Sequence, residues 1–122
     1  MGTYKSERTA EDIRREITSI IRGLKDPRIA QKFISVSRIE LTSDLSFAKV
    51  YISALEGFDT AKEAVAALTN GAGFIRKEIS AKVRMRKVPE LKFIADNSIE
   101  QGMKIVERMN KLAVNEEKED ED

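Results

Sequence analysis

The sequence predicts an α+β domain in which helices lie on a small sheet. Three observations carry that expectation. Apolar residues recur at i, i+3, i+4 and i+7 in several stretches, the spacing of one buried helical face. Alternating, β-branched stretches stand between them near 33–41, 47–54 and 91–95. The resulting order is α-β-β-α-bend-α-β-α, two adjacent strands followed by a helix pair and a returning strand. With 122 residues, 41% hydrophobic and 35% charged, one small domain with a densely charged surface is expected.

The first helix is expected from Thr9, where Thr9-Ala10-Glu11-Asp12 has a relaxed capping-box form. Residues 1–7, which show no periodicity, read as a loose arm before a domain spanning 8–114. Ile13, Ile17, Ile20 and Leu24 make the apolar stripe, while Arg8, Arg15 and Arg22 recur every seven residues beside Arg14. Pro27 ends this helix, because the residue before a proline is pushed out of the α region. The strand at 33–41 changes its apolar parity between Val36 and Ile39, which predicts a bulge near Ser37. After a polar connection of hairpin length at 42–46, the second strand alternates cleanly. Ala48, Val50, Ile52 and Ala54 share one face, and Phe47, Lys49, Tyr51 and Ser53 the other.

Asp59 or Thr60 can cap a second helix with Ala61, Ala64, Val65 and Leu68 inward. It is broken by Gly71-Ala72-Gly73, since glycine in a helix interior costs about 1 kcal/mol against alanine. A further stripe of Phe74, Ile75, Ile79 and Val83 follows, and then the basic run Lys82, Arg84, Arg86 and Lys87. Pro89 leads into a third strand with Leu91, Phe93 and Ala95 on one face. Asp96-Asn97-Ser98 is a dense cap signal for a last helix, whose inner stripe is expected to be Ile99, Met103, Val106 and Met109. Helical order is expected to fail at Asn115, leaving 115–122 as a disordered acidic tail.

Composition narrows the function classes. The chain has no histidine and no cysteine, which removes the commonest general base, thiolate metal sites and the usual nucleophile–base pairs. No Walker or dinucleotide pattern is present, so no enzyme, cofactor or metal site is expected. No apolar run approaches the ~18 residues that cross a membrane, and a cytoplasmic location is expected. The formal net charge of +1 hides an asymmetry: 116–122 carries six acids and one base, leaving 21 basic and 15 acidic residues in 1–115. A basic body suits a polyanion. Cations at a helix C-terminus offset the macrodipole, but that accounts for only one or two of the four in the run. A bare glycine elbow beside such a cluster suits a phosphate backbone, and RNA is the first reading.

The ordered stretches resemble a known family. Leu24-Lys25-Asp26-Pro27-Arg28, Ala48-Lys49-Val50-Tyr51, Gly73-Phe74-Ile75-Arg76 and the run from Arg84 through Pro89 to Phe93 together resemble the ribosome-binding factor A family, bacterial assembly factors of the small ribosomal subunit. The likeness covers nearly the whole chain and closes on Asp96-Asn97-Ser98-Ile99-Glu100-Gln101-Gly102. It implies a type II KH-like fold in which an interrupted helix pair replaces the Gly-x-x-Gly loop. The family reads Ala-x-Gly at that element; here Gly71 stands at the alanine position, which should loosen the bend. The resemblance further implies a non-catalytic factor that binds the immature 30S subunit at its 16S rRNA and supports late maturation, including 5′-end processing, above all in the cold. A maturation GTPase can assist release, and a monomer is expected. RNA contact carries onto Gly71, Ala72, Gly73, Arg76, Lys77, Lys82, Arg84, Arg86 and Lys87, with Arg14 and Arg15 as further positions. The residues alone leave open a KH-like module for another RNA, or an adaptor for an acidic protein partner.

Overall fold

The computed structural model describes residues 3–83, 85 and 87–120, with the helical residues 3–7, 99 and 114–120 described by their backbone. Helix α1 (Thr3–Gly23) precedes strands β1 (Ile34–Leu41) and β2 (Phe47–Ala54). Helices α2 (Phe58–Asn70) and α3 (Ala72–Lys82) then lead to β3 (Glu90–Ala95) and α4 (Ser98–Asp120). The three strands form one sheet in the order β1-β2-β3, antiparallel between β1 and β2 and parallel between β2 and β3. This α-β-β-α-α-β core is the type II KH-like arrangement.

One sheet face carries the core. Ala48, Val50 and Ile52 of β2 and Leu91 and Phe93 of β3 meet Ile13, Ile17 and Ile21 of α1, Ala64 and Leu68 of α2, and Ile75 and Ile79 of α3. Each fully buried isoleucine or leucine contributes about 1.5–3 kcal/mol relative to exposure. The expected bulge is present: pairing with β2 shifts between Val36 and Arg38, so Ser37 is the extra residue. Across the other face, Tyr51 lies under the Arg38 guanidinium at 4.1 Å and donates its hydroxyl to Glu40 Oε2 at 3.1 Å. Ser53, expected on that open face, is buried against Ser35, their hydroxyls 3.0 Å apart.

Four boundaries or faces differ from expectation. Helix α1 begins at Thr3 rather than at a Thr9 cap, since Lys5, Glu7 and Arg8 are good helix formers with no breaker among them. Residues 3–7 are therefore helix, not arm. Helix α2 starts at Phe58, before Asp59 or Thr60, and no side chain of its own N-cap serves it. Its Phe58 N–H donates instead to Glu100 Oε1 on α4 at 2.7 Å. The N-cap is Gly57 at φ 123°, a left-handed value that favours glycine.

The third difference is in the last helix. It starts as expected, with Asp96 Oδ1 accepting from Ser98 N–H at 2.9 Å. It then runs on to Asp120, because the Glu- and Lys-rich sequence past Asn115 favours helix more than its negative charge at a C-terminus disfavours it. Fourth, the stripe expected to face inward does not. Met103, Val106 and Met109 are 61%, 55% and 62% exposed, and the Ile99 side chain lies outside the described residues. The sheet's buried face is already filled by α1, α2 and α3, so three helices, not four, pack on it.

Candidate nucleic-acid interface

The elbow between α2 and α3 turns within a single residue. Gly71 ends one helix and begins the next at φ −97° and ψ 12°, and its N–H donates to Ala67 O at 3.1 Å. That φ is open to any residue. A Cβ on Gly71 would meet only Ala67 O at 3.7 Å and Leu68 O at 3.9 Å, ordinary contacts. The bend therefore has both the φ and the room for the family's alanine and does not require glycine. Gly73 is exposed, with nothing within 4 Å of where its Cβ would be, so the first turn of α3 presents uncovered backbone. Ala72 is half-buried against the core. Phe74, expected in the buried stripe, is 56% exposed, because the stripe that packs is Ile75 and Ile79 with Val83 at its edge. At about 100° per residue, Phe74 falls to the solvent side of the Ile75–Ile79 stripe.

The structure separates the candidate cations by what already occupies them. Arg76 donates from Nη2 and Nε to Val88 O at 2.8 and 3.2 Å, strapping α3 to the segment that feeds β3. Lys82 ends α3 with its ammonium 3.9 Å from Glu16 Oε2 of α1. Arg14 is tied to Glu11, whose carboxyl it holds below the ordinary range through that hydrogen bond. Among the described residues, Arg15, Lys77 and Lys87 have no acidic partner within salt-bridge distance. Arg84 and Arg86 lie outside the described residues.

Folding also joins cations far apart in sequence. Arg8 and Arg15 of α1 and Lys82 of α3 line one groove of about 510 Å³, with Asp12 and Glu16 along it. The seven-residue recurrence of arginines in α1 was the signal for that row. Arg14, next in sequence, is turned to its own helix's Glu11. A second hollow, about 280 Å³, lies at the elbow between the turn after α1 and the α2–α3 junction. Arg28 and Phe74 line it, and neither was a candidate from sequence. Arg28 is held there by Asp26, whose Oδ1 and Oδ2 accept from Nε and Nη2 at 3.1 and 2.9 Å. The Arg28 side chain, with its backbone N–H, brings the Asp26 carboxyl down to about 2. Tyr51 is engaged by Arg38 over one face of its ring and by Glu40 at its hydroxyl. Among the described residues no cluster of acidic side chains has the geometry to hold a metal ion, and no helix is long and apolar enough to cross a membrane.

Comparison with known proteins agrees with this architecture. The chain is 42% identical to ribosome-binding factor A of Desulfitobacterium hafniense over 121 residues, covering 98% of this chain and 95% of that one. It is 39% identical to the Clostridium botulinum (strain Okra) protein over 117 residues, covering 95% and 97%. The crystal structure of ribosome-binding factor A from Thermus thermophilus superposes with a TM-score of 0.64 at 26% identity, covering 73% of this chain and 92% of that one. The Thermotoga maritima solution structure, a putative ribosome-binding factor A, gives a TM-score of 0.64 at 32% identity, covering 72% and 83%. A Thermus thermophilus homology model fitted into a cryo-EM map of a 30S complex gives 0.57 at 28% identity, covering 70% and 88%. The family model for ribosome-binding factor A matches residues 5–109, and the chain belongs to that family.

Proposed function

We propose that this protein is a non-catalytic assembly factor that binds the immature small ribosomal subunit at its 16S rRNA and acts in the cytoplasm as a monomer. It supports late rRNA maturation, including 5′-end processing, matters most at low temperature, and leaves with the help of a maturation GTPase. The observation that carries this reading is family membership over nearly the full chain, together with a relative fitted into a 30S complex. The elbow supports it physically. Uncovered backbone at Gly73 lies one helical turn from Lys77, and Lys77 and Lys87 are cations without acidic partners among the described residues. Contact is made chiefly to phosphates, so sequence preference is weak and salt dependence strong.

Cosedimentation with purified immature small subunits from 50 to 300 mM salt tests this. Wild type should pellet with them, losing roughly 10³-fold in affinity between 50 and 200 mM salt if about six phosphates are neutralised. An Arg84→Ala/Arg86→Ala/Lys87→Ala variant should bind weakly, its salt slope smaller by about three. Equal binding by that variant would move the interface to the Arg8–Arg15–Lys82 groove. Absence of binding by the wild type would sink the assignment and favour another RNA or an acidic protein.

A further inference from the structure

The hollow at the elbow differs from the rest of the proposed interface in being apolar inside and polar at its mouth. Leu24 and Phe74 line it above the buried side chains of Ile29, Leu68 and Ile75, while Arg28 and Asn70 bring hydrogen-bonding groups. At about 280 Å³ it is small for a folded partner's surface and near the lower end of small-ligand sites. Phe74, 56% exposed and part of its lining, places an aromatic ring where a helix would ordinarily carry a polar residue.

The wall opposite α3 is stiff. Asp26 O accepts from Ile29 N–H at 2.9 Å and Ala30 N–H at 2.7 Å, and Asp26 Oδ1 accepts from Arg28 N–H at 2.9 Å. Ile29 is anchored at 3% exposure. Arg28 is thereby set in one orientation, with two of its five N–H donors spent on Asp26 and three left over. A planar apolar group with a polar edge and a phosphate attached matches this combination of ring, carbon-lined hollow and fixed guanidinium.

We propose that the elbow hollow receives one unpaired nucleobase of the bound RNA, stacked on Phe74, with Arg28 donating to its phosphate. This rests on the RNA-binding reading above and adds to it a contact that is not electrostatic. Single-stranded RNA is recognised by such splayed bases on aromatic rings. The hollow adjoins Gly71, so a strand seated on the elbow backbone reaches it without a detour.

The test is the affinity for immature small subunits of wild type, Phe74→Leu and Phe74→Ala across the same salt range. Leucine keeps an apolar side chain and removes the ring, and circular dichroism checks that each variant is folded. Loss of a stacked base should weaken binding roughly 5- to 150-fold at every salt concentration, leaving the salt slope unchanged. Phe74→Leu binding within twofold of wild type overturns the proposal while leaving the assembly-factor reading intact. A loss accompanied by a smaller slope also overturns it, since that marks disturbed phosphate contacts. If wild type does not bind, both readings fall together. Photocrosslinking through Phe74→p-azidophenylalanine distinguishes the partner: an RNA adduct supports the stacked base, and an adduct confined to a ribosomal protein overturns it.

Discussion

Helices α1 and α4 are similar on paper and opposite in place. Both exceed twenty residues, both carry an apolar stripe opposite a charged face, and each flanks the sheet at one end of the chain. In α1 the stripe is buried, with Ile13 and Ile17 at 0% exposure. In α4, Ile105, Val106, Met109 and Leu112 are all more than half exposed. The difference teaches that periodicity identifies which face of a helix is apolar, and the sheet decides whether that face has anything to meet. A three-stranded sheet offers one buried face about as wide as the helices already on it.

Substitutions can break or sharpen this contrast. Truncating Ile17 to alanine should cost about 2–5 kcal/mol, because it opens a cavity in the centre of the core. The matching change Val106→Ala should alter stability by less than about 0.5 kcal/mol, as an exposed site does. Urea denaturation of both variants measures the gap, and a similar loss in each would show that α4 packs after all. Next in size is Glu100→Ala, which removes the acceptor for Phe58 N–H and should cost about 1 kcal/mol, the usual worth of a helix cap. Gly71→Ala should stabilise by about 0.4–1 kcal/mol, because its φ suits alanine and the unfolded chain loses freedom. A falling thermal midpoint in that variant would show that the elbow needs glycine.

The last effect is present in full at neutral pH and fades only in acid. Asp26, beyond the end of α1, is held at about 2 by Arg28, and Asp96, just before α4, is held below the ordinary range chiefly by the Ser37 hydroxyl. A folded-state carboxyl below its unfolded value adds stability above the unfolded pKa, and loses it as pH falls through the folded one. For Asp26 that window runs from roughly pH 4 to pH 2. Asp26→Asn should flatten the acid limb of a stability–pH profile there, and an unchanged limb would discount the Asp26–Arg28 pair.

Much of the fold was legible because its signals are local. The bulge at Ser37 showed as a change of parity, the bend as two glycines in three residues, and the α4 start as Asp96-Asn97-Ser98. What escaped was long-range. Nothing near Phe58 announces that its N–H is capped by a residue 42 positions away. Arg76 reads as one more cation for RNA until Val88 O is found under its guanidinium. Phe74 reads as core because it borders Ile75, and only the fold shows that the ring lines a hollow shared with Arg28. The glycine elbow and the cation-rich stretch were readable as a candidate; the division of its described cations into strap, ion pair and groups without an acidic partner required three dimensions.

The parallel pairing of β2 with β3 has a kinetic consequence. The β1–β2 hairpin closes a short loop and belongs to the class of events that take about 1–10 μs. Docking of β3 must wait for a much longer closure, since Phe47 pairs with Glu90 and the whole of α2, the elbow and α3 lies between them. The elbow therefore acquires its final setting only when the last strand arrives and Arg76 reaches Val88 O. Slowing that arrival would leave an intact hairpin with an unset elbow, so folding speed and the supply of protein with a finished elbow are governed by the same strand.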